Sequence, residues 1–213
     1  MLKCEGLRKS YSGRPVLQEI GFELPAGAWA LQGPNGCGKS TLLRLLAGAE
    51  EPDAGDICIA GVGMREAPLR ARQHLSYAPD ESPIYPFLTG SDLLDFVCMA
   101  KKRPLDTYVV GLIDGFGLPP FMGVRFSNLS LGSQKKLLLC AAWIGEPDVI
   151  FLDEPSNGLD LASRDLLAEL IRQRSRETTI FYVSHDRDFV AATEANVLTM
   201  KDLSLRVINR HPK

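Results

Sequence analysis

The first 32 residues look strand-rich, with apolar and polar positions in partial alternation. The pattern is clearest in Val16-Leu17-Gln18-Glu19-Ile20-Gly21-Phe22-Glu23-Leu24, and Pro25-Ala26-Gly27 interrupts it with a turn. This spacing predicts a strand-rich N-terminal portion. Short, mostly apolar runs follow at Ala28-Trp29-Ala30-Leu31, Ile57-Cys58-Ile59 and Leu75-Ser76-Tyr77-Ala78. Two more lie at Val149-Ile150-Phe151-Leu152 and Thr179-Ile180-Phe181-Tyr182-Val183. Such runs, bounded by turn residues, predict strands, and the unbroken one at 149–152 reads as a buried parallel strand. Helix-like stretches at 41–46, 161–174 and 186–193 separate them, with a last strand at 197–200. The alternation predicts an α/β core.

Between residues 80 and 145 the texture changes. Turn residues recur at Ser82-Pro83, Pro86, Thr89-Gly90, Pro104 and Pro119-Pro120. Leu93, Leu94, Phe96, Val97 and Ala100 fit one helical face, as do Val109, Leu112, Ile113 and Phe116. The reading is one domain over 1–213, with a core of 1–79 and 146–213 and an inserted helical subdomain at about 80–145.

The chemistry begins at Gly33-Pro34-Asn35-Gly36-Cys37-Gly38-Lys39-Ser40, which fits G-x-x-x-x-G-K-[ST]. It lies between a predicted strand and the helix opened by Thr41. Glycines there let successive N–H groups converge on one anion, and the helix N-terminus adds favourable dipole charge. Lys39 is expected to reach the β- and γ-phosphates of a nucleotide, and Ser40 to place its hydroxyl on Mg²⁺. A Gly-rich turn before a core helix is the bland alternative. The strand at 149–152 then ends in Asp153-Glu154, at the sheet edge where open α/β sheets bind ligands. Asp153 is expected to hold Mg²⁺, and Glu154 to orient and deprotonate the attacking water.

Composition narrows the setting. Hydrophobic content of 45% and charged content of 23% suit a globular domain, and a net charge of −2 gives no basic surface for direct nucleic-acid binding. Cys4, Cys37, Cys58, Cys98 and Cys140 form no C-x-x-C pair and read as reduced thiols of a cytoplasmic protein. The N-terminus lacks the apolar core of a secretion signal, and no apolar run reaches the roughly 18 residues of a membrane span.

The remaining motifs resemble those of ATP-binding-cassette (ABC) ATPases, in the right order over essentially the whole chain. Leu129-Ser130-Leu131-Gly132-Ser133 looks like the family signature L-S-G-G-Q before a helix at 134–144. Ser156-Asn157-Gly158-Leu159-Asp160 is similar to the loop that follows the catalytic glutamate, and His185 stands where the family places its switch histidine. Tyr11 matches the aromatic that stacks on adenine, an exposed tyrosine in a β-turn being the alternative.

The resemblance implies a P-loop, RecA-like core with an N-terminal antiparallel β portion. It also implies ATP and Mg²⁺ as cofactors, with two subunits sandwiching ATP so that Ser130, Leu131, Gly132 and Ser133 of one face the phosphate loop of the other. A separate membrane permease, touched near residues 80–100, would be driven by closure and reopening, and the chain would lie peripherally on the inner face of the membrane.

Two departures stand out. The signature carries Leu131 for glycine and Ser133 for glutamine, and Asp80 replaces the glutamine usual after the strand at 75–78. Asp80 keeps oxygen ligands for Mg²⁺ but adds negative charge beside the triphosphate. Glu81 in that role, or Asp80 as a simple turn residue, are the alternatives. The segment 79–90 resembles cassettes that serve ABC-2-type exporters, which makes an exporter subunit the expectation. Two readings compete with it: an ABC ATPase without transport, of the assembly-factor type, and a regulatory module that does not hydrolyse ATP.

Overall fold

The computed structural model describes residues 1–80 and 85–204. The N-terminal strands up to Leu24, joined by two strands from 54–63, form an antiparallel sheet of β1 (Leu2–Tyr11), β2 (Arg14–Leu24), β4 (Ala54–Ile59) and β5 (Val62–Gly63), in the order β2-β1-β4-β5. Its first hairpin turns on Ser12 (φ 49°) and Gly13 (φ 77°), a two-residue loop whose positive φ values match the twist of the flanking strands. The alternation in β2 is only partial because the strand bulges. Glu19 takes φ 54°, the pairing shifts between Leu7↔Ile20 and Lys9↔Leu17, and Leu17 and Ile20 are both buried although three residues apart.

A second, wholly parallel sheet joins β3 (Gly27–Gln32), β6 (Leu75–Ala78), β7 (Val149–Asp153), β8 (Thr179–Val183) and β9 (Asn196–Thr199) in the order β6-β7-β8-β3-β9. Every residue of β7 and β8 is buried, as continuous apolar strands require. Alternate residues serve opposite faces. Trp29, Leu31, Phe151, Phe181 and Val183 pack toward the antiparallel sheet and α1 (Lys39–Leu46), with Phe22 stacked on Phe181 at 5.8 Å. Ala28, Ala30, Ile150, Leu152, Ile180 and Tyr182 face the remaining helices.

Those helices are α3 (Gly90–Lys101), α4 (Thr107–Gly115), α5 (Leu131–Trp143), α6 (Leu161–Arg174) and α7 (Arg187–Ala192). A short α2 (Pro68–Gln73), not foreseen from the sequence, precedes β6, and α8 (Met200–Ser204) follows β9. Met200, expected to end the last strand, instead opens α8. α3 begins at a capping box between Thr89 and Asp92. Its expected apolar face needs correction. Leu93 and Leu94 are buried and Val97 half-buried, but Phe96 is 63% exposed and Ala100 is exposed, because both lie to one side of the buried stripe. In α4 the expected face of Val109, Leu112, Ile113 and Phe116 is buried throughout. α3, α4 and α5 contribute to the same apolar cluster as the sheet.

Candidate functional site

The phosphate-loop sequence joins the end of β3 to α1. Gly38, the residue that opens α1, takes φ 97°, and a Cβ built there would lie 2.9 Å from Leu17 Cδ2 and 3.1 Å from Val16 Cγ1. Lys39 is buried, its ammonium donating to the carbonyls of Gly33 (2.8 Å) and Pro34 (2.9 Å). Ser40 Oγ donates to Asp153 Oδ1 at 3.3 Å. The Cys37 thiol turns back toward Gly33, and Thr41 is buried one turn below Arg44, which donates to its hydroxyl at 3.3 Å.

Parallel pairing of β7 with β8 brings the next groups together. Asp153 ends β7 in a buried position, and burial raises its pKa. Glu154 leaves the strand with φ 44° and donates its N–H to the Val183 carbonyl at 3.0 Å. Its carboxylate accepts the His185 N–H at 3.2 Å, and its other oxygen lies 3.4 Å from His185 Nε2. Burial pushes the Glu154 pKa up, and the His185 N–H opposes that shift.

Gly38, Lys39, Ser40, Thr41, Glu154, Val183 and His185 line one cleft of about 620 Å³, together with Tyr11, Val16, Asn35, Gly36, Arg44, Asp80 and Asn157, and Asp153 lies behind its wall in contact with Ser40. Tyr11 donates its hydroxyl to Glu50 (2.6 and 2.8 Å to the two oxygens), and Lys9 lies 5.5 Å from its ring centroid. Asp80 Oδ1 accepts from Lys135 Nζ at 3.3 Å and Asn157 Nδ2 at 3.4 Å. The charge that Asp80 adds, unbalanced in the sequence reading, has a buried cation beside it. Glu81, the alternative to Asp80, lies outside the described residues, as do positions 82–84 of the exporter-like segment.

The signature residues do not line this cleft. Ser130 caps α5, accepting the Ser133 N–H at 3.2 Å, and its hydroxyl lies 3.0 Å from that of Ser133. The helix therefore starts at Leu131, earlier than the 134 expected. Leu131 is 81% exposed. Gly132 runs so close to the next loop that a Cβ would stand 2.7 Å from the Gly158 carbonyl. Asp160 caps α6 through the Ser163 N–H at 2.9 Å and pairs with Lys136 at 2.7 Å, which holds its carboxyl below the usual range.

Arg44, Val16 and Lys135 escaped the sequence reading. Arg44 follows Ser40 by four residues on a helix, a spacing that puts both on one face. Lys135 precedes Leu138, Leu139 and Ala142 at the i+3, i+4, i+7 spacing of a buried stripe, so a charge in that register was the available signal.

Among the described residues no helix is long and apolar enough to cross a membrane, and no cluster of three or more His, Cys, Asp or Glu is placed to hold a metal. Mg²⁺ does not need such a cluster, since it is held by one or two carboxylates with substrate phosphates and waters. The Ser40 hydroxyl and Asp153 carboxylate, 3.3 Å apart beside the phosphate loop, fit that requirement.

Comparison with known proteins bears on the family and the fold. The family model for ABC transporters matches residues 17–157. The chain is 31% identical to the spermidine/putrescine import ATP-binding protein PotA of Mesoplasma florum, over 98% of this chain and 61% of that one. It is 29% identical to the linearmycin resistance ATP-binding protein LnrL of Bacillus subtilis, over 87% and 61%. It thus spans about three-fifths of the curated relatives it matches. A structure described as the ATP binding subunit of an ABC transporter superposes with TM-score 0.86 at 25% identity, over 93% of this chain and 85% of that one. The cassette MJ0796, described as dimeric, superposes at 0.81 with 18% identity, over 99% and 97%, and supports the fold. A family model over residues 17–157 and a matching fold lead to one assignment: the chain belongs to the ABC transporter family.

Proposed function

We propose that this chain binds and hydrolyses ATP to energise a separate membrane permease, through ATP-driven pairing with a second copy. The observation that carries this reading is the convergence of the Ser40–Asp153 and Glu154–His185 pairs on the cleft that also holds the phosphate loop. Lys39 exchanges its two carbonyl partners for the β- and γ-phosphates, while the amides of residues 33–41 cradle them. Ser40 and Asp153 would hold Mg²⁺, whose charge would offset that of the phosphates. Glu154 takes the proton of the attacking water, and His185 fixes that carboxylate's orientation. Tyr11 stacks on the adenine.

Because Ser130, Leu131, Gly132 and Ser133 stand outside the cleft of their own chain, we assign them to the cleft of a partner copy, with Asp160 beside them. The dimeric description of the MJ0796 cassette supports this arrangement. The core then comprises 1–79 and 146–213, with the helical subdomain at about 80–145 moving against it, and the subunit sits on the cytoplasmic side of the membrane. The export direction rests on the resemblance of segment 79–90 alone. The relatives include both import and resistance proteins and favour neither direction. The test is light scattering of Glu154→Gln with ATP, which should report the mass of two chains, together with co-purification of a multispan membrane protein. A single-chain mass with ATP bound, or capture of only soluble partners, would overturn the reading.

A further inference from the structure

Lys135 is a lysine in the buried stripe of a helix, and its side chain is only 5% exposed. Its ammonium donates to three oxygens: the carbonyl of Asp153 at 2.7 Å, the carbonyl of Pro79 at 3.1 Å and Asp80 Oδ1 at 3.3 Å. All three protons of the group therefore have acceptors. Those acceptors sit at the ends of the neighbouring strands β6 and β7, so one cation joins the helix that follows the signature loop to both strand ends at the cleft. Asp80 lines the cleft; Lys135 lies behind it.

Stability alone gives little reason for this pair. Taking the ammonium out of water is costly, and its attraction to Asp80 returns little because that side chain is 40% exposed and water screens the pair. The charge has a use, however, beside a triphosphate, where an unopposed Asp80 would repel the ligand. We propose that Lys135 is a positioning residue that holds Asp80 at the nucleotide cleft and cancels its charge, so that the two side chains act as one neutral unit. The pair gives the helical segment a direct link to the carbonyl of Asp153, and nucleotide binding acts on that link through Asp80. This inference rests on the ATP-binding reading above.

The test is ATP affinity by calorimetry, in EDTA and in excess Mg²⁺, for wild type, Lys135→Gln, Asp80→Gln and the double variant. Lys135→Gln leaves Asp80 unopposed and should weaken metal-free ATP binding by about tenfold while changing Mg²⁺-loaded binding less. Asp80→Gln leaves a spare cation and should shift the ratio of the two affinities the other way. The double variant, neutral again, should return the ratio to within about threefold of wild type. Should Lys135→Gln not fold, comparing Asp80→Gln with the double variant isolates the lysine. A merely structural pair would lower both affinities together, and an unmoved ratio or additive effects would overturn the proposal. Absence of ATP binding in the wild type would refute the reading beneath it. Wild-type binding that Lys39→Ala weakens, with an unmoved ratio, would refute the Lys135 proposal alone.

Discussion

Gly38→Ala should damage the phosphate loop through the backbone before any ligand is considered. The residue sits at φ 97° and ψ 10°, and placing an L side chain in left-handed backbone costs about 1–2 kcal/mol. The new Cβ would also stand 2.9 Å from Leu17 Cδ2 and 3.1 Å from Val16 Cγ1, both closer than ordinary contact. Leu17 is buried and cannot swing into solvent, so overpacking adds about 1–3 kcal/mol. The sum is a destabilisation of about 2–5 kcal/mol, relieved in part if α1 shifts away from β2. Such a shift would misplace Lys39 and Ser40, so ATP affinity should fall as well. Urea denaturation gives the first quantity and calorimetry the second. Leu17→Ala provides the control. Alone it leaves a cavity and destabilises, but combined with Gly38→Ala it should cost less than the two changes summed, because it removes one of the clashes. Unchanged stability and affinity in Gly38→Ala, or strict additivity in the pair, would refute the reasoning.

Lys39→Ala should weaken ATP binding by about 10- to 100-fold, as expected for losing charged hydrogen bonds, with circular dichroism unchanged. Ser130→Ala removes the N-cap of α5 and should cost about 1 kcal/mol in denaturant, together with a loss of ATPase activity that exceeds what the stability change explains. Lys101 has its pKa pushed down to about 8 by burial, so the unfolded chain binds its proton more tightly than the folded one. Stability should therefore rise as pH climbs from about 8 toward 10.5, by up to about 3 kcal/mol relative to Lys101→Met, which lacks the titration; parallel urea midpoints across that range would count against it.

The sequence made the core legible where periodicity and chemistry coincide. β7 read as a buried strand because no polar residue interrupts 149–152, β8 read as a strand, and α6 fell at 161–174 as its pattern indicates. Lys39, Ser40, Asp153 and Glu154 were found because phosphate chemistry confines them to a fixed loop spacing and a strand end, whereas His185 came only from the family resemblance. Three-dimensional partners were not legible. The bulge at Glu19 depends on cross-strand pairing, and the exposure of Phe96 depends on which side of α3 meets α5. Lys135 was missed because its partners Pro79, Asp80 and Asp153 lie 56, 55 and 18 residues away. Short α2 went unseen because six residues give too little periodicity to distinguish a helix from a turn.

Steady-state phosphate release by Glu154→Gln, measured beside wild type with saturating ATP and Mg²⁺, bears most directly on the claim that this cleft hydrolyses ATP with Glu154 as base. The amide preserves the shape and the His185 N–H contact but cannot accept the water proton. The account predicts clear turnover in the wild type and a loss of about 100-fold or more in the variant, with ATP affinity retained. A variant that releases phosphate at the wild-type rate would contradict it.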